Sequence, residues 1–267
     1  MAKVPKKVTD RFAKTVGAFQ RVLADAKDRD VNESDTVVII TDILSDVLGY
    51  DKYSDITSEQ AIRGTFCDVA VKHDGKVQFL IEVKAIGLTL RENHLRQAVN
   101  YGANQGIPWV VLTNGLRWEI YRIKFEQPIA HEVVCSFDFL DLSPRKADTH
   151  ETLYMLSKEG LSQSAMQAYH EHVQVVNRYV VGALVASEPV LSVIRRELKR
   201  LAPDSRVTTE ELAQLLPDVL KRDLLEGDVA NQAKRRVTRA SSRPLRRSTK
   251  KKSSENVLDE HTPKDSA

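Results

Sequence analysis

Residues 68–84, which read DVAVKHDGKVQFLIEVK, decide the fold of this chain. Two apolar, β-branched runs, residues 66–72 and 77–84, flank the dipeptide Asp74-Gly75. Asp-Gly between such runs is a strong short-range signal for a β-hairpin, because both residues tolerate the backbone of a tight turn. The stretch therefore predicts two antiparallel strands joined by a short loop.

The sequence on either side of this hairpin predicts alternating helices and strands. Residues 32–49 have helical apolar spacing, with Asn32 or Ser34 as the cap and Gly49 at the end. Residues 90–104 predict a second helix, and residues 109–112 and 117–123 predict two strands around the turn Asn114-Gly115. The order of helix, loop, hairpin, helix, strand and strand indicates a small α/β layer structure.

Composition divides the rest of the chain. Residues 1–30 predict a charged N-terminal helical segment, residues 31–142 the α/β domain, and residues 149–226 a helical region. Residues 229–267 are rich in Ser, Thr, Lys and Arg and poor in large apolar residues. Such a composition cannot offset the entropy lost on ordering, so a disordered basic tail is expected there.

The near-neutral net charge of +3 conceals two unlike parts. The segment from Lys234 to Lys252 holds ten Lys or Arg and no acid, so the other 248 residues sum to −7. A basic run of this kind favours phosphate, which predicts DNA contact through the tail. A solubilising tail and an anionic membrane surface are the alternatives.

Several classes of protein are excluded by what the sequence lacks. No apolar run reaches the ~18 residues of a membrane span, so no membrane partner is expected. Two cysteines without paired spacing, Cys67 and Cys135, exclude a disulfide framework and fit a reducing cytoplasm. No phosphate-binding G-x-x-x-x-G-K-[ST] motif occurs, so no use of ATP is expected.

The charged residues of the hairpin suggest a catalytic site. Glu82 and Lys84 share one face of the second strand, because strand side chains alternate. Asp68 joins them only in one register. A strict two-residue turn sets Asp68 opposite Ile81, whereas a three-residue loop with Gly75 in a bulge sets it on the Glu82 face.

In the second register, the two carboxylates suit a hard cation such as Mg²⁺ or Mn²⁺, which prefers oxygen ligands. Lys84 beside them could orient a water or offset negative charge on a phosphate, as phosphodiester hydrolysis requires. A solvated strand face is the alternative interpretation. The apolar strand around Glu82 and Lys84 disfavours it, because charges there are costly unless they are paired or metal-bound.

The following helix adds two candidates. Gln97 and Tyr101 are four residues apart and therefore share a helix face, from which an amide and a phenol could hold a phosphate or a catalytic carboxylate. Three asparagines nearby, Asn93, Asn100 and Asn104, are better explained as a polar solvent face.

Together, Asp68, Glu82-Val83-Lys84 and the helix segment from Gln97 to Tyr101 resemble the D…E-x-K…Q-x-x-x-Y signature of PD-(D/E)xK nucleases. Residues 53–123 resemble more closely the N-terminal nuclease domain of type I restriction enzyme restriction subunits. The resemblance implies a restriction-endonuclease-like αβββαβ core, with a divalent metal held by Asp68, Glu82 and the Val83 carbonyl. It also implies Lys84 beside the attacking water and DNA contact through the core.

Members of this fold often add a further acid, for which Glu33 and Glu59 are the candidates, Glu59 being slightly preferred for its proximity to the motif. The chain lacks the ATP-driven motor of type I restriction subunits, so a stand-alone nuclease-like protein is expected. The leading hypothesis is a Mg²⁺-dependent DNA endonuclease acting in restriction, defence or repair. The alternative is a non-catalytic DNA-binding or adaptor module that retains the fold.

Overall fold

The structure is a computed structural model that describes residues 3–62 and 65–242, without the side chains of residues 59–66. The chain divides into two compact units, Met1–Val175 and Val176–Ala267. None of the helices in the described ranges is long and apolar enough to cross a membrane.

The first unit is a six-stranded sheet between helices. Its elements are α1 (Lys6–Asp28), α2 (Glu33–Asp42) with a π-helical extension (Ile43–Val47), β1 (Ile56–Ile62), β2 (Thr65–His73), β3 (Lys76–Val83), α3 (Glu92–Gln105), β4 (Trp109–Thr113), β5 (Arg117–Lys124), β6 (Ala130–Asp138), a 3-10 turn (Phe139–Asp141), α4 (Ala147–Leu156), α5 (Lys158–Ser162) and α6 (Ala165–Val175). The succession from α2 to β4 is the predicted αβββαβ core.

The sheet keeps the strands in chain order from β1 to β6. Only β3 and β4 pair in parallel, and α3 makes the crossover between them; the other neighbours are antiparallel. A parallel pair needs such a crossover, whereas antiparallel strands need only short turns. The C-terminal end of β3 therefore lies beside that of β4.

Local sequence explains where the first helices and turns lie. The side chain of Asn32 accepts a hydrogen bond from the Asp35 N–H, so the predicted cap of α2 is confirmed. Gly49 follows the π-helical extension at φ +85°, a conformation that favours glycine. The turn dipeptide Asp74-Gly75 lies between β2 and β3, as predicted, with both residues at positive φ.

Apolar side chains fill both faces of the sheet. Beneath α3, Leu80, Val110 and Leu112 pack with Leu95 and Ala98. The opposite face packs against α1 and α2 with a second set of fully buried side chains, which includes Phe12, Val16, Leu23, Ile40, Val69, Ile81 and Val111. Because α1 contributes to this core, the N-terminal segment is part of the same unit as the predicted domain 31–142.

The second unit is helical. It comprises α7 (Arg178–Val185), α8 (Glu188–Leu201), α9 (Thr209–Val219), α10 (Arg222–Leu225) and α11 (Asp228–Ser241). At the start of α9, Thr208 and Glu211 form a capping box, in which each side chain bonds the other's backbone N–H. The predicted helical region 149–226 thus falls in both units, since α4 to α6 belong to the first.

The start of the basic tail differs from the sequence expectation. Disorder was predicted from residue 229, but α11 runs to Ser241. Its residues Ala230, Ala233 and Val237 recur at helical spacing and are buried, with Ala233 and Val237 in a small core that includes residues of α7. That apolar stripe orders the helix while its basic residues face outward. The rest of the predicted tail, residues 243–267, lies outside the described residues.

Candidate active site

The register of the β2–β3 hairpin brings the candidate carboxylates together by an unexpected route. His73 pairs with Lys76, so the turn at Asp74-Gly75 is a strict two-residue loop. The next pair is Lys72 with Val77, but Val71 then pairs with Phe79. Gln78 is therefore an extra residue in β3, which is a β-bulge.

This bulge shifts every later pair by one residue. Val69 lies opposite Ile81, and continuing that register places Asp68 beside Glu82. A hydrogen bond of 2.7 Å from the Val83 N–H to Asp68 Oδ2 joins the two strands at this level. The required register thus comes from a bulge inside β3, and not from the three-residue loop weighed in the sequence analysis.

Glu82 and Lys84 form an ion pair at the end of β3. Glu82 is only 4% exposed, and its Oε1 lies 2.9 Å from Lys84 Nζ. Lys84 Nζ also lies 3.3 Å from Glu33 Oε2 at the start of α2. The Lys84 backbone N–H donates to the Thr113 carbonyl, which extends the β3–β4 ladder by one bond. The ammonium is therefore fixed between two carboxylates.

Burial makes Glu82 an unusual acid. Desolvation, assisted by the charges of Asp68 and Glu33, raises its pKa to about 7, although the Lys84 hydrogen bond acts in the opposite direction. Burial would lower the pKa of Lys84, yet the carboxylates around it outweigh burial and leave that pKa raised. Lys84 therefore stays cationic at neutral pH, while Glu82 is poised to gain or lose a proton there.

Close packing holds Glu33 near the end of β3. Ile86 donates its N–H to the Val31 carbonyl at 3.4 Å, so the segment after β3 contacts the loop before α2. A Cβ atom on Gly87 would lie 2.2 Å from Asp30 Oδ1, which shows how closely the two loops approach. This contact explains why Glu33 lies beside Lys84, although the two are 51 residues apart in sequence.

Asn114 ties the same segment to the β4–β5 turn. Its buried side-chain amide donates to the carbonyls of Ile86 and Leu88 at 3.1 and 2.9 Å. Its Oδ1 accepts from the N–H groups of Leu116 and Arg117. The sequence predicted only a tight turn here, because an Asn-Gly pair does not reveal what else the amide binds.

Replacing Asn114 by alanine should therefore loosen the segment that follows Lys84. The carbonyls of Ile86 and Leu88 would lose their donors. The loss costs about 1–3 kcal/mol at the buried Ile86 carbonyl and less at the partly buried Leu88 carbonyl. We expect urea denaturation to show a loss of roughly 2–3 kcal/mol, against almost none for Asn104→Ala on the exposed side of α3. Equal stabilities for the two variants would contradict this role.

The two candidates on α3 lie in different environments. Gln97 is exposed, whereas Tyr101 is buried in the apolar layer between α3 and the sheet. The three asparagines of that helix are exposed, in agreement with the interpretation as a solvent face. Gln97 and Tyr101 are thus neighbours along α3 that differ in exposure.

The two candidates for the further acid differ in what can be said of them. Glu33 contacts Lys84, as described above. The backbone of Glu59 lies in β1 between Ser58, which pairs with Val69, and Gln60, which pairs with Cys67. Its backbone is thus level with Asp68, but the side chain of Glu59 lies outside the described residues. Of the two candidates, Glu33 is therefore the one whose side chain the structure describes beside Lys84.

The donor set at the end of β3 fits a divalent metal. Glu82 Oε2 is buried and has no hydrogen-bond partner in the described part of the chain. A buried carboxylate oxygen without a partner is rare, and a bound cation is one arrangement that would satisfy it. Among the side chains that the structure describes, which exclude that of Glu59, no group of three or more His, Cys, Asp or Glu could hold a metal. Two carboxylates suffice for Mg²⁺, which retains several waters.

Comparison with known families agrees with this arrangement. Residues 39–134, about a third of the chain, match the family model described as the type I restriction enzyme R protein N terminus (HSDR_N). The match includes Asp68, Glu82, Lys84, Gln97 and Tyr101, but not Glu33. No curated protein and no solved structure matches the chain. The resemblance predicted from the motif is thus confirmed: the segment 39–134 of this chain is similar to the N-terminal, nuclease-like domain of type I restriction enzyme R proteins.

Proposed function

We propose that this protein is a divalent-metal-dependent nuclease that hydrolyses phosphodiester bonds of DNA. The observation that carries the proposal is the buried Glu82 carboxylate, whose Oε2 has no partner in the described chain and which lies beside Asp68 and Lys84. A nuclease-related role also follows from the family match of residues 39–134. We expect the protein to act in the cytoplasm, in restriction, defence or repair.

In this proposal, Asp68, Glu82 and the Val83 carbonyl would hold Mg²⁺ or Mn²⁺, and Glu33 or Glu59 would be the further acid. When bound, the metal would supply Lewis-acid activation of water and of the phosphate. Lys84 orients the attacking water and offsets negative charge that develops on the phosphate. Gln97 and Tyr101 support the site from α3, by hydrogen-bonding a phosphate or by holding a catalytic carboxylate in place.

DNA would be held through the core and through the basic segment that starts on α11. Within the described part of that segment, Arg235 and Arg239 are exposed and neither is in an ion pair. Such side chains bind phosphates without regard to DNA sequence. For duplex DNA, each contact steepens the slope of log affinity against log salt concentration by about 0.9. This contribution should therefore fall as salt is raised.

The proposal is tested by incubating the full chain with supercoiled, linear and single-stranded DNA, and with RNA. We expect nicking or cutting of DNA with Mg²⁺ or Mn²⁺, none in EDTA, and none by Asp68→Asn. DNA binding without cleavage under every metal condition would instead favour the adaptor alternative. Cleavage by Asp68→Asn at the rate of the natural chain would overturn the assignment of the site.

A further inference from the structure

The second unit buries few apolar side chains. Its one described cluster of buried apolar residues consists of Val180, Ala183, Ala233 and Val237, with Tyr179 packed against them. Outside this cluster, Leu191, Leu212 and Ala230 are also buried. Three of these seven buried residues are alanines, so the apolar area removed from water is small. Small domains with little buried apolar area are marginally stable, and oligomerisation is one common way to supply the missing burial.

Two neighbouring helices of this unit carry exposed apolar side chains. Val193 and Leu201 of α8 are 45% and 83% exposed, and Leu215 and Val219 of α9 are 54% and 74% exposed. The two helices are consecutive and contact each other. Single exposed apolar residues are ordinary, but several on adjoining helices are typical of an interaction surface. We call these four residues and the charges beside them the α8–α9 face.

The charges beside these apolar residues have opposite signs on the two helices. On α8, Arg196 and Arg200 lie three and seven residues after Val193. On α9, Asp218 lies three residues after Leu215. These spacings place each charge on the same side of its helix as the apolar residue. In total, α8 has four basic and two acidic residues, whereas α9 has three acidic residues and no basic one.

These charges are not used between the two helices of one chain. Within the described part of the second unit, no ion pair joins α8 to α9. Arg196 and Arg200 pair only with Glu197 of their own helix. The surface therefore combines exposed apolar residues with two charged halves of opposite sign, and a second copy related by a two-fold axis would complement both.

We infer that the α8–α9 face is the docking site for a second copy of this chain, with α8 of one copy against α9 of the other. A two-fold contact repeats the basic-to-acidic match twice and covers the exposed apolar residues of both copies. The resulting four helices would form an intermolecular bundle around a shared apolar core. This inference rests on the second unit alone and does not depend on the proposed nuclease function.

Sedimentation velocity of the full chain tests the inference, from micromolar to hundred-micromolar concentration. We expect a mass twice the 30.1 kDa of one chain. Leu215→Glu should weaken the dimer at least about tenfold, because it places a charge in the apolar centre of an already acidic helix. Val38→Glu on α2 is the matched control, since Val38 is 60% exposed in the first unit and should leave the mass unchanged.

A charge exchange makes the test specific. Arg200→Glu should weaken the dimer, and adding Asp218→Arg to the same chain should restore it, with circular dichroism unchanged throughout. A mass of 30.1 kDa at all concentrations would overturn the inference. So would a Leu215→Glu variant whose dimer dissociation constant equals that of the natural chain. Loss of DNA binding by Leu215→Glu without a change of mass would show that the face binds nucleic acid instead.

Discussion

Replacing Lys84 by alanine should lower metal-dependent DNA cleavage at least about a hundredfold, the usual effect of removing a group that stabilises charge in a transition state. The reason lies in its fixed position: the ammonium is 2.9 Å from Glu82 and 3.3 Å from Glu33, and its backbone is hydrogen-bonded to β4. No neighbouring side chain of the described structure repeats this contact with Glu82. Single-turnover rates on a labelled duplex measure the effect.

The matched control is Lys76→Ala, which removes an exposed lysine from the beginning of the same strand. It should cleave at the natural rate. DNA binding in EDTA should be nearly equal for the two variants, because one phosphate contact changes affinity only modestly and the basic segment is intact. If Lys84→Ala cleaves as fast as Lys76→Ala, Lys84 has no catalytic role.

Replacing Glu82 by glutamine should change how stability depends on pH. The folded-state pKa of Glu82 is about 7, against an ordinary value of 4.5. Between these two values, the folded state binds more protons than the unfolded state, so this residue lowers the free energy of unfolding as pH rises. The loss is nearly complete by about pH 8 and amounts to something on the order of 3 kcal/mol.

We therefore expect Glu82→Gln to gain stability relative to the natural chain as pH rises from 4.5 to 8, with most of the gain below pH 7.5. Urea denaturation of both proteins at several pH values, without divalent metal, measures the difference. Comparing the two proteins at each pH cancels the other titrating groups. A difference that is independent of pH would show that Glu82 titrates as an ordinary exposed acid.

Most of the core was predictable because its signals are local. The Asp74-Gly75 turn, the cap at Asn32 and the apolar run before Thr113 each depend on residues close in sequence. The edge strands β1 and β6 were missed by their residue pattern. Their sequences, ITSEQAI and AHEVVCSFD, mix polar and apolar residues without the alternation that marks a half-buried strand. Only the family resemblance implied the first of them.

The site shows a different limit. Asp68, Glu82 and Lys84 were predicted from their spacing, but Asp68 lies beside Glu82 only because of the bulge at Gln78. No glycine or other turn residue in the sequence indicates this bulge. Tyr101 was placed with Gln97 by helical spacing. It is equally three residues from Ala98, so the buried stripe of α3 includes it. Helical spacing therefore places Tyr101 near Gln97 but does not show how deeply its ring is buried.

The same limit applies to the start of the basic segment. Composition after residue 229 predicted disorder, because charged and small residues dominate it. Composition ignores the positions at which residues occur along the chain. The three apolar residues that pack α11 are spaced so that they lie on one face of the helix. A helix of this kind is set by a few well-placed small side chains, which an average over the segment hides.

The bulge at Gln78 also separates the tip of the hairpin from the residues at its base. The pairing near Asp68 and Glu82 is set by the buried pairs Ala70 with Leu80 and Val69 with Ile81, all of which lie beyond the bulge. Changes of length at the solvent-exposed tip can therefore be absorbed before they reach the carboxylates. The Asp74-Gly75 turn is accordingly a suitable place to insert a peptide tag or fluorescent label without changing how Asp68 and Glu82 lie relative to each other.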